Sequence, residues 1–494
     1  MSVGWDAALP AGCVLRPTLE EVESAGDFAS YVASVELRPE ILERGVLKIV
    51  APEGWSPLGR KLDPEEEAAA YETVLGEVKV RNPIRQEVHG RNGAYSATYF
   101  SCNSLSVAAF RAKAEVYALR HAPPSCSSRT DNHNNNEEEQ TLMGHSYVPS
   151  QEEADAVETR YWKRVRMRQP IYGADGLGSL FGEGVAFHLG EMKSLLNHPL
   201  VGADALPGVT DPYLYYGMFG ASFAWHCEDM DLYAVNYIHG GAPKTWYCIP
   251  LAAKARMESL MATLFPEDRA VCKEFLRHKA CVVAPALLDR AGIPYTRVLH
   301  CAREFVVTLP AVYHAGFNHG YNIAESVNFA NDPWLPHSLL AKPCTCVPDS
   351  VVIDVALLLS ARQAERKRKR AKGLHALSTT SHMVEEFLSG GEENPRQQAV
   401  ELIPAAVATV LATYVEEEEQ EENHLVPRAW REPGELEQGI RTVCSGFVPA
   451  LLAGTEEDVA LQAQALSPSL VGLGLAIASS IEQSAKRSGK RKRP

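Results

Sequence analysis

The stretch AWHCEDMDLYAVNYIHGGAPKTWYCIP, residues 224–250, decides the fold class of this chain. Its aromatic and β-branched residues come in short runs broken by Asp, Gly and Pro, which is the texture of strands joined by turns. Working outward, YLYYGMFGASFAWH (213–226), EFVVTLP (304–310) and NIAESVNFA (322–330) repeat that texture. Many short strands at this spacing between about residues 161 and 346 predict a β-sandwich or barrel. Two stretches between them, residues 250–266 and 272–280, read as helices.

Before this region, residues 17–37 carry apolar residues at helical spacing behind a Thr18 N-cap, with acidic residues in the first turn. GVLKIVAPEGW (45–55) then reads as a strand closed by Pro52 and Gly54. VRNPIRQEVHGRNGAYSATYF (80–100) is extended chain around a turn at Arg91 to Gly93. Residues 122–158 include PPSCSSRTDNHNNNEEEQ, a polar run with almost nothing to bury, and read as a surface insertion. Beyond residue 346 the texture becomes helical. It holds basic clusters at Arg366 to Arg370 and Lys486 to Arg493 and an acidic run at Glu416 to Glu419.

The whole chain has 494 residues, 46% of them hydrophobic and 22% charged, so most of it is expected to fold, in more than one domain. Its 48 basic against 62 acidic residues give a net charge of -14, which argues against non-specific nucleic-acid binding by the chain as a whole and suits a basic peptide partner. The 11 cysteines are scattered among His and acidic residues and do not read as a disulfide framework, so a reducing compartment is expected. No apolar run is long enough for a membrane span, and no signal peptide is expected.

The sharpest chemical signal is His226-Cys227-Glu228 with the distant His314. Residues two apart on a strand share a face, so His226 and Glu228 can reach one ion, and a remote His can complete a facial triad on non-haem Fe(II). A His-x-Glu pair is common, however, and alone decides nothing. A second constellation, Cys272-x5-His278 with Cys344-Thr345-Cys346, offers the four ligands of a closed tetrahedral zinc site, although Cys-x-Cys by itself is weak.

Taken together, residues 224–250, LPAVYHAGFNHGYNIAESVNFA (309–330) and PIYGAD (170–175) closely resemble the JmjC domain of histone lysine demethylases. Residues 17–55 are similar to the JmjN segment that accompanies it. The resemblance implies a mainly β fold with α: a double-stranded β-helix, that is, a cupin-like jelly roll, with surrounding helices. It divides the chain into JmjN (12–56), a mixed α/β linker (57–121), the polar insertion (122–158), JmjC with the zinc site (159–346) and a helical C-terminal extension (347–494).

It further implies that His226, Glu228 and His314 hold Fe(II), and that Tyr172, Asn236 and Lys244 bind the distal carboxylate of 2-oxoglutarate between walls formed by Phe223 and Trp246. Gly208, Tyr215, Glu228, Ser326 and Asn328 match the family's methyl-lysine pocket. Val327 and Pro207 depart from its pattern, which leaves methylation-state preference and peptide register open. Cys272, His278, Cys344 and Cys346 match the zinc site of the subfamily acting on lysine-9 and lysine-36 of histone H3.

The implied reaction hydroxylates an N-methyl group of a di- or trimethylated lysine and releases formaldehyde, with the histone H3 tail in chromatin as partner and the nucleus as location. The basic clusters are either import signals with some contact to DNA or solvated chain ends. Hydroxylation of a non-histone protein and a catalytically silent chromatin scaffold are the competing functions.

Overall fold

The computed structural model describes residues 8–59, 64–123, 148–197, 209–344, 346 and 351–359. Gly208, Pro207, the acidic run and both basic clusters lie outside the described residues, as does most of the polar insertion. Among the described residues no helix is long and apolar enough to cross a membrane.

Sixteen described strands form three sheets. In chain order they are β1 (Val14–Leu15), β2 (Val46–Val50), β3 (Lys79–Val80), β4 (Ile84–Arg91), β5 (Ala94–Ser101), β6 (Leu105–Ser106), β7 (Ile171–Leu177) and β8 (Tyr213–Gly217). They continue with β9 (Ser222–His226), β10 (Tyr233–Gly241), β11 (Lys244–Cys248), β12 (Cys281–Val283), β13 (Thr296–His300), β14 (Glu304–Thr308), β15 (His314–Asn318) and β16 (Asn322–Phe329). The large sheet runs β1-β2-β14-β10-β16-β8-β7-β4-β5-β12, and the second runs β13-β11-β15-β9. These two sheets are the walls of the double-stranded β-helix, and β3 with β6 forms a small separate ribbon.

Side-chain alternation separates an inner from an outer face on each wall. On the second sheet Trp225, Tyr247 and Phe317 belong to one apolar cluster with Tyr161, Met257 and Met261, which come from helices Gln151–Arg164 and Lys254–Leu264 packed outside. His226, Trp246 and His314 alternate with those residues and so point inward. On the large sheet Asn236 lies opposite Ser326 on one side and Val306 on the other, which sets these residues on one face.

The other face of the large sheet is closed by the N-terminal segment. Phe28 is fully buried, 4.9 Å from Phe305 and edge-on to Phe187 at 5.2 Å, while Trp55 meets Tyr237 at 5.8 Å. Strand β2 extends the sheet beyond β14, so this segment supplies both a covering helix and an added strand. Truncation of Phe28 to Ala is expected to cost about 3–5 kcal/mol, because the cavity is enclosed on all sides. A thermal melt of Phe28→Ala checks this, and an unchanged midpoint would contradict the packing described.

The strand texture seen in the sequence corresponds to strands, and the turn at Arg91 to Gly93 joins β4 and β5. Three local readings need correction. The expected N-terminal helix is two helices, Leu19–Ser24 and Phe28–Val35, with a third, Pro39–Arg44, behind them. Gly26 at φ +80° breaks the first pair, Asp27 recaps the second through Ala29 N–H at 2.9 Å, and Pro39 starts the third. Thr18 does cap the first helix, in a capping box with Glu21.

The second correction concerns CKEFLRHKA, which is a 3-10 turn, Phe275–His278, ended by Lys279 at φ +54°. Third, the end of the expected insertion is the helix Gln151–Arg164, opened by a Ser150–Glu153 capping box. Its Glu158 accepts from the Tyr247 hydroxyl at 2.6 Å and pairs with Arg297 at 2.5 Å, tying it to the second sheet.

Candidate active site

The inner faces of the two walls bring together residues that lie far apart in sequence. His226 ends β9 and His314 begins β15, and the two are cross-strand partners just before a register shift. Glu228 lies two residues on, at the head of a tight turn whose Met230 and Asp231 have φ of 53° and 55°. Asp231 N–H donates to the Glu228 carbonyl at 3.0 Å, and Asp231 is itself held by Arg277 at 2.7 Å and Lys254 at 3.1 Å. A second Arg277 nitrogen donates to the Glu228 carbonyl, so the turn is clamped from the segment that also carries His278.

Glu228 Oε1 is 3.6 Å from His226 Nε2 and 3.2 Å from His314 Nε2. The two Nδ1 atoms face the carbonyls of Ala224 at 2.7 Å and Val312 at 3.1 Å. A carbonyl only accepts, so each Nδ1 carries the hydrogen and each Nε2 presents a lone pair towards Glu228. Burial, with the neighbouring His314, lowers the His226 pKa to about 4. Burial alone would raise the Glu228 carboxyl, but the two imidazoles and the Lys279 charge beside it outweigh this and hold it well below the usual range.

Two imidazoles, each with its Nδ1 hydrogen committed to a carbonyl, and one carboxylate therefore form a preorganised three-ligand site. The spacings are near the edge of about 3 Å expected for three ligands on one face around a small divalent ion. These residues fit non-haem iron.

Beyond the triad, Trp246 lies 4.6 Å from Phe223 and 5.7 Å from His314, centroid to centroid, forming an aromatic wall beside the ligand atoms. Lys244, one pleat further along β11, is 1% exposed. Its Nζ sits 6.0 Å from the Tyr172 ring and 5.8 Å from the Tyr215 ring, and among the described residues it has no carboxylate partner. Burial alone lowers its pKa to about 7. Asn236 Oδ1 is likewise buried without a hydrogen-bond partner. An unpaired buried ammonium is costly, and a carboxylate from a bound molecule relieves that cost. The set fits a dicarboxylic keto acid.

The expected methyl-lysine pocket is partly gathered. Tyr215 donates to Asp175 Oδ1 at 3.2 Å, Ser326 Oγ donates to Val235 O at 2.8 Å, and Asn328 Nδ2 donates to Tyr233 O at 2.9 Å. The hydroxyl donors of Tyr215 and Ser326 are spent on these partners, so their oxygens are left as acceptors, and Asn328 keeps its Oδ1 as an acceptor. Gly208 lies outside the described residues.

The second constellation is equally compact. Ligand atoms of Cys272, His278, Cys344 and Cys346 all lie within 4.8 Å of one another. Cys272 Sγ is 3.8 Å from Cys344 Sγ, which is 3.2 Å from His278 Nε2. The edge of a tetrahedron with Zn–S bonds of about 2.3 Å is about 3.8 Å, so the four fit zinc. Burial, then the adjacent thiols of Cys346 and Cys344, pushes the Cys272 thiol up to about 11 when no cation is present to favour thiolate. Loading this site with zinc is expected to raise the melting midpoint by about 10 °C or more, and chelation to reverse the gain. Differential scanning calorimetry before and after chelation checks this, and equal midpoints would contradict it.

Several site residues were not legible in the sequence. Asp175 lies in the quoted PIYGAD but nothing local marks it as the acceptor for Tyr215. Arg277 and His300 act through contacts between separate strands and turns. Adjacency to His278 was the available pointer to Arg277, and His300 had none, because it meets Lys244 only through strand pairing.

The fold and this arrangement define a JmjC-domain protein. Residues 213–329 match the family model described as "JmjC domain, hydroxylase". Lysine-specific demethylase 4B of Mus musculus is 35% identical over 381 residues, covering 76% of this chain and 31% of that protein. Lysine-specific demethylase 4D of Rattus norvegicus is 34% identical over 364 residues, 73% of this chain and 63% of the relative. For the probable lysine-specific demethylase 4F of Homo sapiens the values are 35% over 353 residues, 71% and 48%. The chain thus carries a JmjC domain and is similar to lysine-specific demethylases 4 over about three quarters of its length, and it spans from about a third to under two thirds of the length of these relatives.

Proposed function

We propose that this protein is an Fe(II)- and 2-oxoglutarate-dependent histone lysine demethylase, acting on di- or trimethylated lysine-9 or lysine-36 of histone H3. The observation that carries the reading is the inward triad of His226, Glu228 and His314 beside the unpaired buried Lys244. In this reading the triad holds iron on one face and leaves the opposite face open. Bound iron with 2-oxoglutarate and O2 supplies the oxidising power for attack on a C–H bond, with succinate and CO2 as co-products.

The chain's own residues do the rest. Lys244 binds the distal carboxylate, Tyr172 and Asn236 orient it, and Phe223 with Trp246 exclude water beside it. The oxygens of Tyr215, Ser326 and Asn328 hold the methylammonium through weak C–H contacts. Hydroxylation of an N-methyl group gives a hemiaminal that collapses to formaldehyde and the amine, so no nitrogen lone pair is required and a trimethylated lysine is a competent substrate.

Support for the subfamily comes from the compact Cys272, His278, Cys344 and Cys346 set and from the relatives' names. A methylated histone H3 tail in chromatin is the partner, and the nucleus is the location on the same reading. The test is incubation of the protein with peptides of histone H3 trimethylated at lysine-4, lysine-9 or lysine-36. Methyl loss is expected at lysine-9 or lysine-36, and loss confined to lysine-4 would overturn the assignment.

A further inference from the structure

A line of polar contacts runs from the N-terminal strand to the aromatic wall. Lys48 on β2 pairs with Glu304 Oε1 at 2.9 Å and donates to the Leu299 carbonyl at 3.1 Å. Cys301 N–H donates to Glu304 Oε2 at 2.7 Å, which fixes the turn between β13 and β14. Within that turn His300 Nε2 lies 2.7 Å from the Glu304 carbonyl, and on its other side the Trp246 indole Nε1 lies 3.2 Å from His300 Nδ1.

The tautomer follows from the partners. Indole N–H only donates, so Nδ1 accepts and Nε2–H donates to the carbonyl. His300 is fully buried and directly opposite Lys244 in the ladder. Burial above all, then the charges of Lys244 and Lys48, keeps it neutral against the pull of the Glu304 carbonyl. One neutral imidazole thus uses both nitrogens to join the β13–β14 turn to the ring that packs on His314 and Phe223.

We propose that His300 is a positioning residue for the cosubstrate pocket, holding the Trp246 indole in the orientation that forms the pocket wall. It rests on the reading that Trp246 lines the 2-oxoglutarate site. A ring held only by apolar contacts can rock about its side-chain bonds. Acceptance of its N–H selects one orientation before the cosubstrate arrives, and preorganisation of this kind appears as affinity.

The experiment compares the protein with its His300→Leu and His300→Gln variants. Leu removes both hydrogen bonds at similar volume, whereas Gln keeps an acceptor oxygen and a donor nitrogen on one planar group. Each protein is loaded with Fe(II) without O2 and titrated with 2-oxoglutarate, following the visible charge-transfer band of the chelate. Loss of a buried hydrogen bond predicts about a tenfold weaker 2-oxoglutarate affinity for Leu, with Gln within about threefold of wild type. Iron affinity without 2-oxoglutarate is expected to be the same in all three.

Equal weakening in both variants, or none in Leu, overturns the proposal. If the Leu protein fails to fold, Gln is compared with wild type and with a protein carrying 3-benzothienylalanine at position 246, in which sulfur replaces the indole N–H in a ring of nearly the same shape. Wild-type behaviour of Gln beside weakened binding in the benzothienylalanine protein then upholds the proposal, and unweakened binding in that protein overturns it. Absence of any 2-oxoglutarate-dependent band in the wild type is a separate result, because it removes the functional reading itself.

Discussion

Replacement of His226 by alanine is expected to remove iron and abolish methyl removal. The imidazole contributes one of three ligand atoms, and its Nδ1–H is already committed to Ala224 O, so the lone pair on Nε2 is aimed at the centre without reorganisation. The remaining Glu228 and His314 would hold a divalent ion through two ligands and solvent. Loss of one ligand from a catalytic metal is worth several kcal/mol, so turnover is expected to fall by about a thousandfold or more. The check is iron content by elemental analysis after anaerobic loading, with thermal melts of both proteins. Full iron retention in a folded His226→Ala protein would contradict the site.

The second large effect is expected at Lys244. Lys244→Met keeps the stem volume and removes the charge, so the cosubstrate carboxylate loses the buried cation that faces it. Breaking a buried charge pair of this kind costs 2–5 kcal/mol, which predicts about a hundredfold weaker 2-oxoglutarate binding. The pH dependence gives an independent signature. Burial lowers the Lys244 pKa to about 7 in the free protein, and a bound carboxylate favours the protonated form and raises it. Above pH 7 the free lysine is neutral, so binding takes up a proton and affinity falls as pH rises, by up to about tenfold per unit. In Lys244→Met this slope is expected to vanish. Calorimetric titration in two buffers of different ionisation enthalpy measures the proton uptake directly, and a pH-independent wild type would contradict the account.

The lowered pKa also has a sign for stability. In the free protein the folded state binds fewer protons at Lys244 than the unfolded chain does above about pH 7. The contribution of this residue to stability therefore rises with pH from that point towards the ordinary lysine range.

Which parts of this were readable from sequence depends on the distance over which each interaction works. His226 and Glu228 are two apart at a strand end, and period-two alternation alone sets them towards one ion. His314 needs only the pairing of β15 with β9 to join them, and the long aromatic motifs that flank it carried the resemblance. Lys244 was legible by its place in the motif, but its lack of a carboxylate partner among the described residues was not, because that depends on three strands and two tyrosine rings.

His300 shows the opposite case. Nothing near it in sequence announces a partner, since Trp246 is 54 residues away and meets it only when β11 pairs with β13. Glu158 was read as part of a polar insertion because its neighbours are polar, yet its partner Tyr247 is 89 residues downstream. The N-terminal helices were over-extended for a local reason. Apolar spacing continues through Gly26 and Asp27, and only the positive φ of Gly26 with the Asp27 cap reveals the break.

The central claim is oxidative removal of a methyl group by iron held in the triad, and mass spectrometry of one trimethyl-lysine peptide tests it most directly. The protein is incubated with Fe(II), ascorbate, O2 and 2-oxoglutarate, beside samples lacking 2-oxoglutarate and samples of His226→Ala. The expected result is a peptide lighter by one methylene for each formaldehyde and succinate formed, in the complete wild-type sample alone. A peptide that gains one oxygen atom and keeps its methyl groups would make the protein a hydroxylase, and an unchanged peptide with iron and 2-oxoglutarate bound would contradict demethylation of that substrate.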